Sequence, residues 1–301
     1  MTATLTGPRR DDVAKLSQGR RIDVPSGAFA AVLWACLLLA CLFLMAVLLV
    51  ILVEGWARFD TNLVTEQPSR LRPETSGVQS AIFGTLWVML GTIVLAIPVG
   101  IAGGLYLEEY ADNTKWWNRL IELNIQNLVA VPSIIYGILT LAFVVRGPIS
   151  IGPVALAGSV ALALLILPVI IITTREAVRS VPREIREASL ALGATQWQTV
   201  SKQVLPSAVS GIATGTILAL SRAIGEAAPL ILVGATVFVT VNPDSIFDRY
   251  TVLPVQIFNL VKLPEVANQH LAWATILLLM IILLAMNAVA IWMRNRFQRQ
   301  W

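Results

Sequence analysis

Histidine, cysteine and charge are all scarce in this sequence of 301 residues. It holds one histidine, His270, and two cysteines, Cys36 and Cys41. A single histidine excludes a histidine-cluster metal site, and two cysteines exclude a disulfide framework or a cysteine-based zinc site. The cysteines lie five positions apart in one apolar run, so on a helix they point about 140° apart and read as lipid- or core-facing fillers. Charged residues make up only 13% of the chain, against about 25% in an ordinary soluble domain. With 56% hydrophobic residues and a mean hydropathy of +0.75, that excludes a soluble enzyme and a disordered segment. Catalytic signatures are missing too. There is no phosphate-cradling G-x-x-x-x-G-K-[ST] loop, no G-x-S-x-G elbow and no H-E-x-x-H pair. Beyond the N-terminal tail, the aspartates Asp60, Asp112, Asp244 and Asp248 all fall in predicted loops and His270 at a membrane boundary. An intramembrane protease would therefore lack its catalytic groups.

What the sequence has is long apolar runs. A spanning helix needs about 20 mostly apolar residues. Five intervals long enough carry no charge: Asp23 to Glu54, Glu74 to Glu108, Glu122 to Arg146, Arg146 to Arg175, and Glu265 to Arg294. A sixth, Ser207 to Val239, is interrupted only by Arg222 and Glu226. These predict an all-α polytopic membrane protein with six transmembrane helices at about 28–53, 80–106, 124–145, 153–173, 208–238 and 271–293. The first run is too long for a cleavable signal peptide and reads as an uncleaved anchor behind a basic tail, residues 1–26. With the N-terminus inside, fifteen lysines and arginines fall in cytoplasmic segments and six (Arg58, Arg70, Arg72, Arg146, Arg249, Lys262) outside. That asymmetry predicts both termini in the cytoplasm. The basic balance is thus topology and not a nucleic-acid footprint. Trp56, Trp116, Trp117 and Trp273 read as interfacial anchors, and Pro98 and Pro132 as kinks or hinges.

The longest cytoplasmic loop, 174–206, reads as structured. Pro182 suits the first turn of a helix, with Ser180 a possible cap, and Gly193 would stop it. Thr195-Gln196-Trp197-Gln198 fits a capping box that opens a second helix toward Val204. Leu190, Leu192 and Trp197 surround the glycine turn. Exposed apolar residues on a structured knob suit docking into a partner groove, or lying on the lipid surface.

The fifth apolar run carries small residues every fourth position: Ser207, Gly211, Gly215, Ala219, Ala223 and Ala227. Such a stripe permits close helix packing, with Gly211 and Gly215 at its centre. Thr214, Ser221, Arg222 and Glu226 overlap that side. A charge at membrane depth costs about 3 kcal/mol or more, and an Arg–Glu pair at i,i+4 partly neutralises itself. Either the pair clamps two helices, or Arg222 lines a path for an oxyanion, which its planar fork suits. Arg222 lies about 22 Å of helix beyond Pro206, past mid-membrane.

Two of these segments carry a family resemblance. Glu187-Ala188-Ser189, three residues, Gly193, nine residues, then Gln203-Val204-Leu205-Pro206 resembles the EAA loop of binding-protein-dependent ABC importers, with Ser189 and Gln203 departing from the pattern. Ser221-Arg222-Ala223-Ile224-Gly225-Glu226-Ala227-Ala228-Pro229-Leu230 is similar to the signature of phosphate-specific transport permeases, as are Val131–Gly137 and Gly100–Tyr110. The Gly100–Tyr110 motif is more similar to PstA-type than to PstC-type subunits. The resemblance implies a type I (MetI-like) ABC importer permease fold over 27–301, in a bacterial inner membrane. It implies a coupling helix in which Glu187, Ala188, Leu190, Leu192, Gly193 and Trp197 meet a cytoplasmic ATPase. It also implies that the chain binds no cofactor itself, ATP and Mg being held by that partner. The expected partners are a homologous PstC-type permease, two copies of a PstB-type ATPase, an extracytoplasmic PstS-type phosphate-binding protein, and lipid. Another oxyanion such as sulfate or molybdate, or a scaffold or sensor that moves nothing, stays open on the sequence.

Overall fold

The structure, a computed structural model, describes residues 24–69, 71–112, 114–235 and 238–297. The basic tail with Arg9, Arg10, Lys15, Arg20 and Arg21, together with Arg70 and Arg299, lies outside the described residues. The chain divides into two compact units, 1–50 and 51–301. All regular elements described are helical. Helix α1 (Val24–Trp56) supplies the described part of the first unit and runs into the second. From Ala28 to Glu54 it has neither proline nor glycine, and its Leu- and Ala-rich composition favours an unbroken helix.

In the second unit, α2 (Thr61–Thr65) is capped by Asp60, whose carboxylate accepts from Leu63 N at 3.0 Å. Then come α3 (Gln79–Leu105), α4 (Trp116–Val129), α5 (Ser133–Thr140) and α6 (Ala155–Arg179). They are followed by α7 (Arg183–Ala191), α8 (Gln196–Thr199), α9 (Leu205–Ile224), α10 (Ala228–Val233), α11 (Leu253–Val261) and α12 (Val266–Phe297). Wide π-turns extend α3 over Tyr106–Tyr110 and α5 over Leu141–Val145, and another, Val200–Val204, joins α8 to α9. Five helical stretches among the described residues are long and apolar enough to cross a membrane, and a bent pair makes a sixth if counted as one span.

The bent pair corrects one expectation. A straight span over 124–145 does not form: α4 and α5 meet at 108°. Pro132 has no N–H to give the carbonyl of Leu128 and pushes Val131 out of helical geometry. The Leu128 carbonyl accepts instead from Val131 N at 3.1 Å and from the Tyr136 hydroxyl at 2.7 Å. Pro132 therefore sits between two helices and kinks neither. The expected span 208–238 is also broken. α9 ends at Ile224, and α10 begins at Ala228 after a turn at Gly225–Ala227. Pro229 cannot bond to the carbonyl of Gly225 four residues back, so the helix cannot run through. At its other end α9 starts earlier than expected. The predicted second loop helix merges into it through the π-turn at Val200–Val204, which absorbs the missing N–H of Pro206.

Helix α6 is the axis of the second unit. α3 lies along it with glycines at the points of closest approach. A Cβ on Gly91 would meet Ser159 Oγ at 2.4 Å, one on Gly100 would meet Ile170 Cγ2 at 2.5 Å, and one on Gly104 would meet Thr174 Cβ at 2.6 Å. α9 packs on the same helix at Gly211 and Gly215, where a Cβ would stand 2.7 Å from Ala177 Cβ and 2.3 Å from Thr173 Cβ. The first turn of α6 is sealed by the 239–252 segment. Ala155 N donates to Asp248 O at 3.0 Å and Leu156 N to Ile246 O at 2.8 Å, which satisfies helix-end donors that have no partner within the helix. Trp87 Nε1 pins the same segment through Pro243 O at 2.9 Å. Tyr250 is fully buried against Gly158, and burial pushes its phenol pKa well above the usual range.

Candidate functional site

The residues singled out for a substrate path fall on two sides of the α9–α10 break. Arg222 sits in the last turn of α9, where a cation suits the partial negative charge of the helix end. Glu226 lies in the turn beyond, its backbone N donating to Ala223 O at 3.2 Å. Arg222 Nε and Glu226 Oε1 are 3.7 Å apart, an ion pair too long for a hydrogen bond. The Arg222 side chain is 44% exposed and that of Glu226 21%. The guanidinium is thus held near a counter-charge while its donors stay available. Facing the break is the other discontinuous helix pair: Gly137 of α5 packs so closely on Pro229 that a Cβ there would meet Pro229 Cα at 2.7 Å. Two broken helices therefore meet beside Arg222, an arrangement that brings irregular backbone and a charge together at the end of a membrane-length helix.

Ser221 and Thr214 point elsewhere, toward α12. The Ser221 hydroxyl lies 2.7 Å from Ile217 O and 2.5 Å from Asn287 Oδ1. Thr214 Oγ1 donates to Ser210 O at 2.8 Å and accepts from Arg294 Nη1 at 3.1 Å. Asn287 and Arg294 escaped the sequence reading. Asn287 carried a signal, being the one strongly polar residue between Thr275 and Arg294 in an otherwise apolar run.

The 174–206 loop folds as a helix, a glycine turn and a second helical start. Pro182 stands at the N-cap of α7, not inside its first turn, and Ser180 does not cap it. The Ser180 hydroxyl donates backward to Ala177 O at 2.7 Å, closing the end of α6. Gly193 has φ +85°, a left-handed conformation that favours glycine after a helix C-cap. The Thr195–Gln198 capping box is formed in both directions, at 3.2 Å and 2.9 Å. Ser189, where the family pattern has alanine, bonds across the turn to Thr199 Oγ1 at 2.8 Å and so joins the two arms. Around the turn Leu192 is 90% exposed, Trp197 67% and Leu190 49%. Glu187 and Ala188 lie on the exposed side of α7. A polar knob carrying three large, uncovered apolar side chains has the chemistry of a docking surface.

The other marked residues are less engaged. His270 Nδ1 lies 3.7 Å from Glu54 Oε2 at the start of α12, and Cys36 and Cys41 are free thiols. Trp116 and Trp117 meet edge to face at 5.9 Å, and Trp56 stacks on Phe59 at 6.1 Å.

Comparison with known proteins gives concordant results. Residues 96–301 match the family described as binding-protein-dependent transport system inner membrane component. The chain is 34% identical over 220 residues to the probable ABC transporter permease protein YqgI of Bacillus subtilis, covering 69% of this chain and 74% of that protein. It is 33% identical over 290 residues to the phosphate transport system permease protein PstA of Yersinia pestis, covering 96% of this chain and 94% of that one. Among solved structures, a chain of the bacterial alginate ABC transporter in complex with its alginate-bound periplasmic protein superposes with a TM-score of 0.68 at 15% identity, over 92% of this chain and 96% of that chain. A chain of the inward-facing MetNI methionine ABC transporter gives 0.59 at 19% identity, over 74% of this chain and 96% of that chain.

Proposed function

The chain belongs to the binding-protein-dependent transport system inner membrane component family, with the all-helical type I (MetI-like) permease fold, and on that premise we propose that it is the permease subunit of an ATP-driven inorganic phosphate importer. The observation that carries the substrate is end-to-end similarity to a phosphate permease, 33% over 96% of the chain. Arg222 supports it chemically. A half-exposed guanidinium at a helix break offers paired donors to a tetrahedral oxyanion, and Glu226 compensates its charge when no anion is present.

In this reading the chain forms half of the pathway beside a homologous PstC-type permease. The glycine-turn loop, with Leu190, Leu192 and Trp197 at its tip and Glu187, Ala188 and Gly193 shaping it, docks into each cycle's energy source, one of two PstB-type ATPase copies. ATP and Mg belong to that partner, and this chain binds no cofactor of its own. A PstS-type protein delivers phosphate on the opposite side. The lysine and arginine asymmetry supports both termini and the 174–206 loop on the cytoplasmic side. The fifth-span residues Thr214 and Ser221 act from the flank of the path, through α12, while Gly211 and Gly215 set the spacing of α9 on α6.

The test is co-purification of the tagged chain followed by uptake into proteoliposomes. The expected result is an assembly with an ATPase and a second permease that accumulates phosphate in the presence of ATP, with sulfate and molybdate failing to compete. Accumulation of sulfate or molybdate instead would reassign the substrate. Assembly with no ATP-dependent uptake of any oxyanion would favour a scaffold and refute the reading.

A further inference from the structure

We infer that Glu109 is a positioning residue that passes movement of the coupling loop into α3; the inference rests on the permease reading above. The Gly100–Tyr110 motif ends in two consecutive carboxylates, Glu108 and Glu109, to which that reading gives no role. Both stand on the π-turn Tyr106–Tyr110, an irregularity frequent at functional sites. They face different elements. Glu108 turns to α6, accepting from Arg179 Nε and Nη2 at 2.9 Å each and from Arg175 Nε at 3.4 Å. Arg175 also reaches Glu122 of α4 at 2.9 Å. Glu109 turns to the loop. Its Oε1 accepts from Arg186 of α7, from Nε at 3.0 Å and Nη2 at 2.7 Å. Its backbone carbonyl accepts from Gln196 Nε2 at the start of α8. One residue thus grips both arms of the coupling loop.

Arg186 is itself fixed from behind. Nη1 donates to Val181 O at 2.7 Å and Nη2 to Val178 O at 2.8 Å. Val178 stands in the last turn of α6 and Val181 just beyond its end, where carbonyls lack the regular helical partner. A planar guanidinium bonded on two edges is a rigid fork and not a flexible tether. The Arg186 side chain is 19% exposed and that of Glu109 10%. The pair is therefore unlike the solvent-screened surface pairs that contribute little, and separating it would strand a charge withdrawn from water. The loop and the end of α3 consequently move together. α3 lies against α6 at Gly91, Gly100 and Gly104 without room to slip sideways, and α6 carries α9, with Arg222, on Gly211 and Gly215. A displacement of α7 has a contiguous packed route to the helix break. Beside this junction lies a charged recess of about 430 Å³ lined by Glu108, Glu109, Arg179, Arg183, Arg186 and Glu187.

A staple that merely holds the loop's shape would act on docking and stability. A transmitting link acts on stimulation. The two separate in the complete complex of both permeases, ATPase and binding protein, reconstituted with Glu109→Gln, Glu109→Asp or Arg186→Lys. For Glu109→Gln, ATPase co-purification and basal hydrolysis should stay within about twofold of wild type, while hydrolysis stimulated by phosphate-loaded binding protein and phosphate uptake fall about tenfold. Arg186→Lys, which keeps the charge but not the fork, should behave likewise, and Glu109→Asp should recover most of the stimulation. Stimulation and uptake within about twofold of wild type in Glu109→Gln would overturn the inference. So would loss of ATPase co-purification in all three variants, which would make the pair a staple. A wild-type complex that takes up no phosphate would instead refute the permease reading itself.

Discussion

Replacing Gly215 by alanine tests whether α9 is held against α6 at the distance the glycines allow. The new Cβ would stand 2.3 Å from Thr173 Cβ, 2.3 Å from Oγ1 and 2.9 Å from Cγ2. Carbon atoms in contact prefer about 3.5–4.0 Å, so more than an ångström must be found. Thr173 cannot swing aside, because its Cβ is fixed to the backbone and its hydroxyl is held by Val169 O at 3.0 Å and Ile170 O at 3.2 Å. The two helices must part. Overpacking of this kind costs about 1–3 kcal/mol, here toward the upper end, and alanine's better helix propensity offsets about 1 kcal/mol. The net expectation is a loss of about 2 kcal/mol, or about 30-fold in the folded ratio. Gly103→Ala on α3 is the control, since its Cβ would meet only Ile171 at 3.5 Å, an ordinary contact. Moving the methyl group across the interface, as Gly215→Ala with Thr173→Gly, should restore most of the stability. The assay is the thermal midpoint of the detergent-purified protein, with membrane abundance beside it. A Gly215→Ala protein as stable as Gly103→Ala, or a double variant less stable than the single, would refute the packing argument.

Gly193→Ala should cost about 1–2 kcal/mol locally because its φ of +85° is left-handed; Gly193→Pro cannot adopt it, and like Glu187→Lys it should abolish phosphate uptake at normal membrane abundance, as measured by uptake and immunoblot. Tyr136→Phe removes one of the donors to Leu128 O and leaves that carbonyl to Val131 N at the bend, so the thermal midpoint should fall by the equivalent of about 0.5–1.5 kcal/mol. A cysteine-accessibility scan in a background lacking Cys36 and Cys41 should label 174–206 from the cytoplasm and 55–78 and 240–270 from outside; external labelling at position 202 would overturn the topology.

Charge-free intervals made the long helices legible, because a charge in hydrocarbon is expensive enough to mark a boundary. The same measure was blind to the breaks. Hydropathy counts apolar residues, and Val131-Pro132 and Ala228-Pro229 are apolar, yet each proline removes a donor from a carbonyl four residues back. The glycine turn and the Thr195–Gln198 box were readable because capping is a local event fixed by residue type and spacing. Ser180 was misread for a related reason: at the junction of two helices its hydroxyl had a choice, and the carbonyl of Ala177 behind it won over the donors ahead. The contacts of Ser221 with Asn287 and of Thr214 with Arg294 bridge 66 and 80 residues. No spacing rule reaches that far. Glu108 and Glu109 stood out in the sequence only as part of a motif, and their division of labour between α6 and the loop depends on a π-turn that residue types alone do not announce.

ATP-driven phosphate uptake by complexes carrying Arg222→Gln, alone and together with Glu226→Gln, tests Arg222 as a pathway residue most directly. An exposed arginine changed to glutamine usually shifts stability by less than about 0.5 kcal/mol. At Arg222 the change strips an anion contact and leaves Glu226, only 21% exposed, without its counter-charge. The single variant should assemble but move no phosphate. The double variant, with no stranded charge, should assemble like wild type and still move none. Full phosphate uptake by the double variant would contradict this, and would make Arg222 a clamp on Glu226 and not a residue that phosphate passes.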